Sequence, residues 1–264
     1  ERKKSRFKRD VKNVNRPYYV VCGYGETGKA VVDALLDEHF GAVVIEKNED
    51  ANEISIHDKL VQVPYLTADA SKPEMLEYAG VQQDKCRGVI AATSSDEANL
   101  IIAISSKLLH PDVMVICRSD NKEHVDNMLS FGTDYIINPF ESFADVFSMS
   151  LHSPSMHLIY DWLTGAPNTS LSTPLKIDSG HWILSGYGRF GKLLYKELCK
   201  KNIRSVIIDP RESANIEFNK NKQADDAFLI GTGTDAETLI RAGIDTAAGV
   251  IAGTDNDSNN LSII

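Results

Sequence analysis

Cysteine is scarce. The four in 264 residues, at positions 22, 86, 117 and 199, are scattered and form no C-x-x-C. That argues against a disulfide framework and fits a reducing compartment. Cys22 and Cys117 fall in apparent strands, where a cysteine reads as a small buried hydrophobe. Long apolar runs are missing too: none approaches the roughly 20 residues that cross a bilayer. No signal-peptide pattern is present, because the basic start is not followed by an apolar stretch. There is no Walker lysine motif and no G-x-S-x-G. His152 and His157, five apart, miss the i, i+4 spacing of helical metal ligands, and His157 reads as a packing or surface residue. The first 16 positions are net positive, with eight basic residues against two acidic, or +6. The remaining 248 positions hold 20 basic and 35 acidic residues, or −15. Such a body is a poor nucleic-acid binder, since a phosphate backbone needs a basic face. The basic arm is either a solvated tail or a segment facing an anionic lipid surface.

What the chain does have, it has twice. Residues 18–28 and 181–191 are each an apolar run of strand length followed by G-x-G-x-x-G and a helix-period segment. In that context the glycines mark a dinucleotide-binding turn. The first allows a tight turn, the second close approach to a pyrophosphate, the third close helix–strand packing. Unpaired N–H groups and the dipole at the helix start favour an anion. Register persists beyond the glycines. Gly23 and Gly186, Glu46 and Asp209, Asp69 and Thr232, Leu76 and Leu239, and Gly80 and Gly243 all lie 163 positions apart. Thr93 and Thr254, and Asn99 and Asn260, follow at 161. A period so long excludes a solenoid and implies two domains of one type.

Apolar runs alternating with helical patterns predict an α/β fold: two Rossmann-like, doubly wound parallel sheets in tandem. Strands are expected in the first copy near 18–22, 42–46, 60–64, 88–92, 113–117 and 135–137. In the second they are expected near 181–185, 205–209, 227–230 and 249–252. Ser71 is the expected cap of the helix after strand three, and the helix after strand four is expected to start around Ser95. From Asn138-Pro139, residues Phe140, Phe143, Ala144, Phe147 and Leu151 line one helix face, which could cover its own sheet edge or cross to another domain. The connector 152–180, with Pro154, Pro167 and Pro174, holds a short helix around 156–163. The second copy stops inside the helix after its fourth strand, which leaves a sheet edge and predicts a fragment.

Glu46 and Asp209, each 23 positions after the first glycine, are placed to bind ribose hydroxyls, or only to cap a turn. Lys47 and Arg211 follow them and could accept a 2′-phosphate, although an acid favours a plain ribose. The variable turn position is Glu26 in one copy and Arg189 in the other. A unit charge about 5 Å from a phosphate, at an effective dielectric near 20, changes binding by roughly 3 kcal/mol. The second copy is therefore expected to hold an anionic nucleotide more tightly, and the first to be weak or to need a cation. Asp69 either contacts adenine or ribose or caps its loop. Glu26, Glu46, Asp69 and Asp96 could converge on a divalent cation, or be solvated loop acids.

Residues 18–151 resemble the TrkA-N domain, also called the RCK domain (regulator of potassium conductance). The resemblance rests on VCGYGETGK, TADASKPEML, IAATSSDEANL and ICRSD, with NPFES like the start of the family's crossover helix. GYGRFGK and GTGTD carry it in the second copy, and SPSMHLIYDWLTG is similar to the link between two such domains in prokaryotic potassium channels. The resemblance implies a cytoplasmic ligand sensor rather than an enzyme, with no catalytic residues. It would self-associate through the crossover helix as a dimer or ring at the cytoplasmic face of the cell membrane. The basic arm would be the linker from a potassium pore domain. NAD(H), AMP, ADP or ATP would be the regulatory ligand, in some members with a divalent cation. Carried over to this chain, the first cleft comprises Gly23, Tyr24, Gly25, Glu26, Thr27, Gly28, Glu46, Lys47, Asp69, Ala70, Thr93 and Arg118. The second comprises Gly186, Tyr187, Gly188, Arg189, Phe190, Gly191, Asp209, Thr232, Gly233 and Thr254. Glu26 stands where the family more often has a basic residue, and Thr232 where it has aspartate. Two alternatives differ in kind: a peripheral subunit of a Trk-type potassium transporter, which places a further domain between its two folds, and an NAD-dependent oxidoreductase.

Overall fold

The computed structural model describes residues 2–48, 63–164, 180–254 and 257–263. The chain divides into two compact units, Glu1–Pro139 and Phe140–Ile264.

The first unit opens with helix α1 (Arg2–Lys12). Then come β1 (Tyr18–Cys22), α2 (Glu26–Asp37), β2 (Gly41–Glu46), β3 (Tyr65–Thr67) and α3 (Pro73–Tyr78). It ends with β4 (Cys86–Ala91), α4 (Asp96–Leu109), β5 (Met114–Arg118), α5 (Lys122–Ser130) and β6 (Tyr135–Ile137). The sheet order is β3-β2-β1-β4-β5-β6, all parallel. Its strands are apolar on both sides because both faces are covered. Val20, Cys22, Val43 and Ile45 enter one core with Leu76, Ile102 and Met128, while Val21 and Val44 enter the other with Val32.

The basic arm is a helix with a single apolar stripe. Phe7 and Val11, one turn apart, are buried in the first core, and Lys8 lies 3.6 Å from the Tyr78 ring centroid. A charge count alone could not see this, because two apolar residues carry the docking. Strand three begins at Tyr65, later than the expected 60–64, and residues 60–62 of that range lie outside the described ones. Ser71 is not a helix cap: α3 starts at Pro73 after Lys72, and the Ser71 hydroxyl donates to Asp69 instead. Helix α4 starts at Asp96, close to the expected Ser95, and the Ser95 side chain caps it by accepting from the Ala98 N–H. Helix α5 was not anticipated. Its only fully buried apolar side chain is Met128, too weak a stripe to read as a period.

The second unit contains α6 (Pro139–His152), which begins at the boundary, and α7 (Pro154–Thr164). Its sheet portion runs β7 (His181–Ser185), α8 (Arg189–Lys200), β8 (Ser205–Asp209), α9 (Glu212–Asn221) and β9 (Ala227–Ile230). It continues through α10 (Ala236–Arg241), β10 (Ala247–Ala252) and α11 (Asp257–Ile263). The order β10-β7-β8-β9 is parallel and repeats the β4-β1-β2-β3 part of the first sheet. Helix α6 packs within this unit: Ala144, Phe147 and Leu151 join Leu184, Leu194 and Phe218, and Phe147 meets the Trp182 ring edge-on. Pro167 and Pro174 lie outside the described residues.

The duplication extends to packing detail. In both sheets the register slips at the start of the first strand's pairing with the fourth. Gly88 leaves room for the Tyr19 ring and Gly249 for the Trp182 ring, and a Cβ on either would sit under 3 Å from ring carbons.

Candidate functional site

The two glycine turns repeat one geometry. Gly23 and Gly186 have φ of +99° and +104°, a region that strains any side chain. A Cβ on Gly28 would stand 2.1 Å from the Gly23 carbonyl oxygen, and one on Gly191 2.0 Å from that of Gly186. Gly25 and Gly188 face open space. They are also the N-caps of α2 and α8, and neither helix start has a side-chain cap. First-turn N–H groups are thus left for a ligand, at the point where the strand order reverses between β1 and β4 or between β7 and β10.

The acids after the second strands turn back towards the turns. One Glu46 oxygen accepts the Tyr24 N–H and the other the Asn48 N–H. Asp209 Oδ2 accepts the Tyr187 N–H at 2.8 Å. Thr93 and Asn99 form a second repeated device. Asn99 Oδ1 accepts the Thr93 N–H (3.0 Å) and hydroxyl (2.7 Å), while its Nδ2 donates to the Thr93 and Arg118 carbonyls. Thr254 and Asn260 repeat the first three of these bonds.

The first cleft encloses about 690 Å³ and is lined by Gly23, Gly25, Glu26, Thr27, Glu46, Lys47, Asp69, Ala70, Thr93 and Arg118, among others. That is within the size range of cofactor sites. Asp69 caps its own loop, taking the Ser71 hydroxyl at 2.6 Å, and pairs with Lys47 at 3.1 Å. The Ser71 hydroxyl, with help from Lys47, holds its carboxyl below the usual range despite partial burial. Tyr24 and Gly28 do not line the cleft. Tyr24 is buried, its ring 6.1 Å from that of Tyr65, and Gly28 seats α2 on the turn.

The second cleft is smaller, about 220 Å³, and is lined by Gly186, Gly188, Asp209, Arg211, Thr232, Gly233 and Thr254, among others. Tyr187 packs against Tyr195, Phe218 and Phe228. Gly191 seats α8, and Phe190 packs against Phe140 and Phe143. Arg189 stacks over the Phe140 ring, 5.6 Å from its centroid, and is not among the lining residues. The basic side chain on this cleft is Arg211, considered from the sequence only as a 2′-phosphate acceptor and not among the residues carried over from the family. Burial opposes ionisation of Asp209, but Arg211 and the Tyr187 N–H outweigh it and hold the carboxyl below its ordinary range.

The four acids proposed for a cation do not converge. Glu26 pairs with Lys29 at 3.0 Å, and Glu46 and Asp69 hold the partners described above. Asp96 accepts from Ser119, Asp120 and Asn121. Among the described residues no group of three His, Cys, Asp or Glu side chains could hold a metal ion. Nor is any helix there long and apolar enough to cross a membrane.

Comparison with known proteins agrees with this geometry. "Probable potassium channel protein 2" of Methanocaldococcus jannaschii is 28% identical over 125 residues, 47% of this chain and 36% of that protein. The solved structure of GsuK bound to ADP matches 95% of this chain and 57% of its own with a TM-score of 0.66 at 18% identity. The GsuK channel bound to NAD matches 94% and 55%, also with a TM-score of 0.66, at 17% identity. The chain thus spans little more than a third of the first relative's length and about half of the solved chains. The family profile described as the TrkA-N domain matches residues 19–139 and 182–264. The two turns, their acids and their Thr–Asn pairs are thus two copies of one family's fold, and the chain belongs to the TrkA-N domain family.

Proposed function

We propose that the chain is the ligand-sensing regulatory region of a potassium channel and acts by binding rather than by catalysis. An adenine nucleotide or NAD would occupy the first cleft. The observation that carries this is that cleft itself: about 690 Å³ at the switch point, with Gly25 open, α2 uncapped and a carboxylate at the ribose position. Its relatives support the reading, since one is a potassium channel protein and two solved neighbours hold ADP and NAD.

The mechanism is a population shift. A nucleotide moves a channel only by its differential affinity for two states. Helix α1 is the output. It is docked into the first core by Phe7 and Val11, so a change in that unit reaches residues 2–12 directly. Its outer face is cationic and suits the anionic cytoplasmic leaflet beside a pore. Self-association would use α6 and α7, where Phe143, Met156, Ile159, Trp162 and Leu163 are exposed.

A thermal-shift and calorimetric screen with NAD, NADH, AMP, ADP and ATP, each with and without calcium or magnesium, tests the binding step. A ligand that binds the native state raises its melting temperature. Absence of any shift and any heat would remove the sensor reading. Recordings from the pore-containing protein that lack nucleotide dependence would remove the gating role alone.

A further inference from the structure

In the second cleft the carboxylate at the ribose position is already taken. Asp209 is 2% exposed. Its Oδ1 accepts the Arg211 backbone N–H at 2.9 Å and Nε–H at 2.8 Å. Its Oδ2 accepts Nη2–H at 2.7 Å and the Tyr187 N–H at 2.8 Å. A carboxylate offers about four acceptor sites, so these donors saturate it. The guanidinium makes the two-pronged pairing that is the strongest form of this contact. In the first cleft the position equivalent to Arg211 is Asn48, which reaches Glu46 only through its backbone N–H.

We propose that Arg211 is a specificity-determining latch, its guanidinium standing where ribose hydroxyls would bind Asp209. The inference rests on reading the second cleft as a nucleotide site. A ribonucleotide enters only by displacing Arg211. The energy of the Asp209–ribose contact is then spent on breaking an ion pair, and the cleft barely distinguishes a ribose from a 2′-deoxyribose. The second copy becomes the weaker site for ribonucleotides, the reverse of the ranking expected from Arg189. The Arg211 side chain is 55% exposed, so it has solvent to swing into.

The test compares ADP with 2′-deoxy-ADP on the wild-type chain and on Arg211→Gln. Affinity at each cleft is read from hydrogen-exchange protection of peptides covering 186–191 and 23–28. Removing a charge-assisted pair should raise ADP affinity at the second cleft about tenfold and 2′-deoxy-ADP affinity less than about twofold. The first cleft should stay unchanged. Arg211→Lys, which keeps the charge but loses the fork, should fall between wild type and Gln and serves if Gln folds poorly. Equal gains for both ligands, or no gain, would overturn the latch while leaving nucleotide binding intact. No protection of 186–191 by either nucleotide in any variant would overturn the nucleotide reading of that cleft, and the latch with it.

Discussion

Gly28 and Gly25 of the first turn should respond to alanine in opposite ways. At Gly28 a Cβ would stand 2.1 Å from the Gly23 carbonyl oxygen. Tolerable carbon–oxygen contacts begin near about 3.3 Å. The obstacle is backbone, so α2 must lift off the sheet. Overpacking of this kind costs about 3 kcal/mol at the upper end of its usual range. Alanine's better helix propensity returns about 1 kcal/mol. The net loss is then about 2 kcal/mol, or roughly 4–8 °C in melting temperature for a domain of this size. Gly25 is the opposite case. Its φ of −74° and ψ of −165° suit any residue, and nothing lies within 4 Å of an added Cβ. Replacing a glycine N-cap by alanine costs about 0.5–1 kcal/mol, and a stiffer unfolded chain returns about 0.4–1 kcal/mol. Gly25→Ala should therefore stay within about 0.5 kcal/mol of wild type in stability. Its methyl group projects into the cleft, so nucleotide affinity should fall by at least about tenfold. Urea denaturation followed by circular dichroism, paired with nucleotide titration, reads both effects. If Gly25→Ala lost as much stability as Gly28→Ala, or Gly28→Ala lost none, the assignment of roles within the turn would be refuted.

Further outcomes follow from the same contacts. Phe7→Ala should destabilise the first unit by about 3 kcal/mol, because it empties a buried site; urea denaturation checks this, and limited proteolysis should cut the arm faster. Asn99→Ala should cost about 2–3 kcal/mol by stripping partners from the Thr93 N–H and two carbonyls, again read by denaturation. Asp209 has a folded carboxyl below its ordinary range, so the unfolded chain binds more protons. Its contribution is complete above about pH 5 and is lost as pH falls through about 3.9 toward the folded value. Asp209→Asn should flatten that part of the acid limb in pH-dependent melting of the second unit.

Several residues were legible in the sequence because covalent geometry determines their roles. A left-handed turn demands Gly23 and Gly186, and close helix packing demands Gly28 and Gly191. The Thr93–Asn99 spacing, kept as Thr254–Asn260, was visible as a pattern, but its role in closing the β4 loop onto Arg118 was not. Four other assignments depended on where a side chain points. Tyr24 and Tyr187 follow a glycine of the motif, yet they turn into cores. Arg189 leaves the turn to lie over Phe140, a ring contributed by a helix 49 positions earlier. Asp69 satisfies its own loop.

The amino-acid sequence by itself determined the duplication, the parallel α/β character and the placing of two glycine turns. Those follow from local spacing and from what glycine alone permits. Tertiary structure decided the rest. It set which acid is bound by its own arginine, and it determined that a basic arm docks through two apolar side chains. The reason is physical: these outcomes depend on rotamers and on competition among partners brought together by folding, and spacing along a chain carries neither.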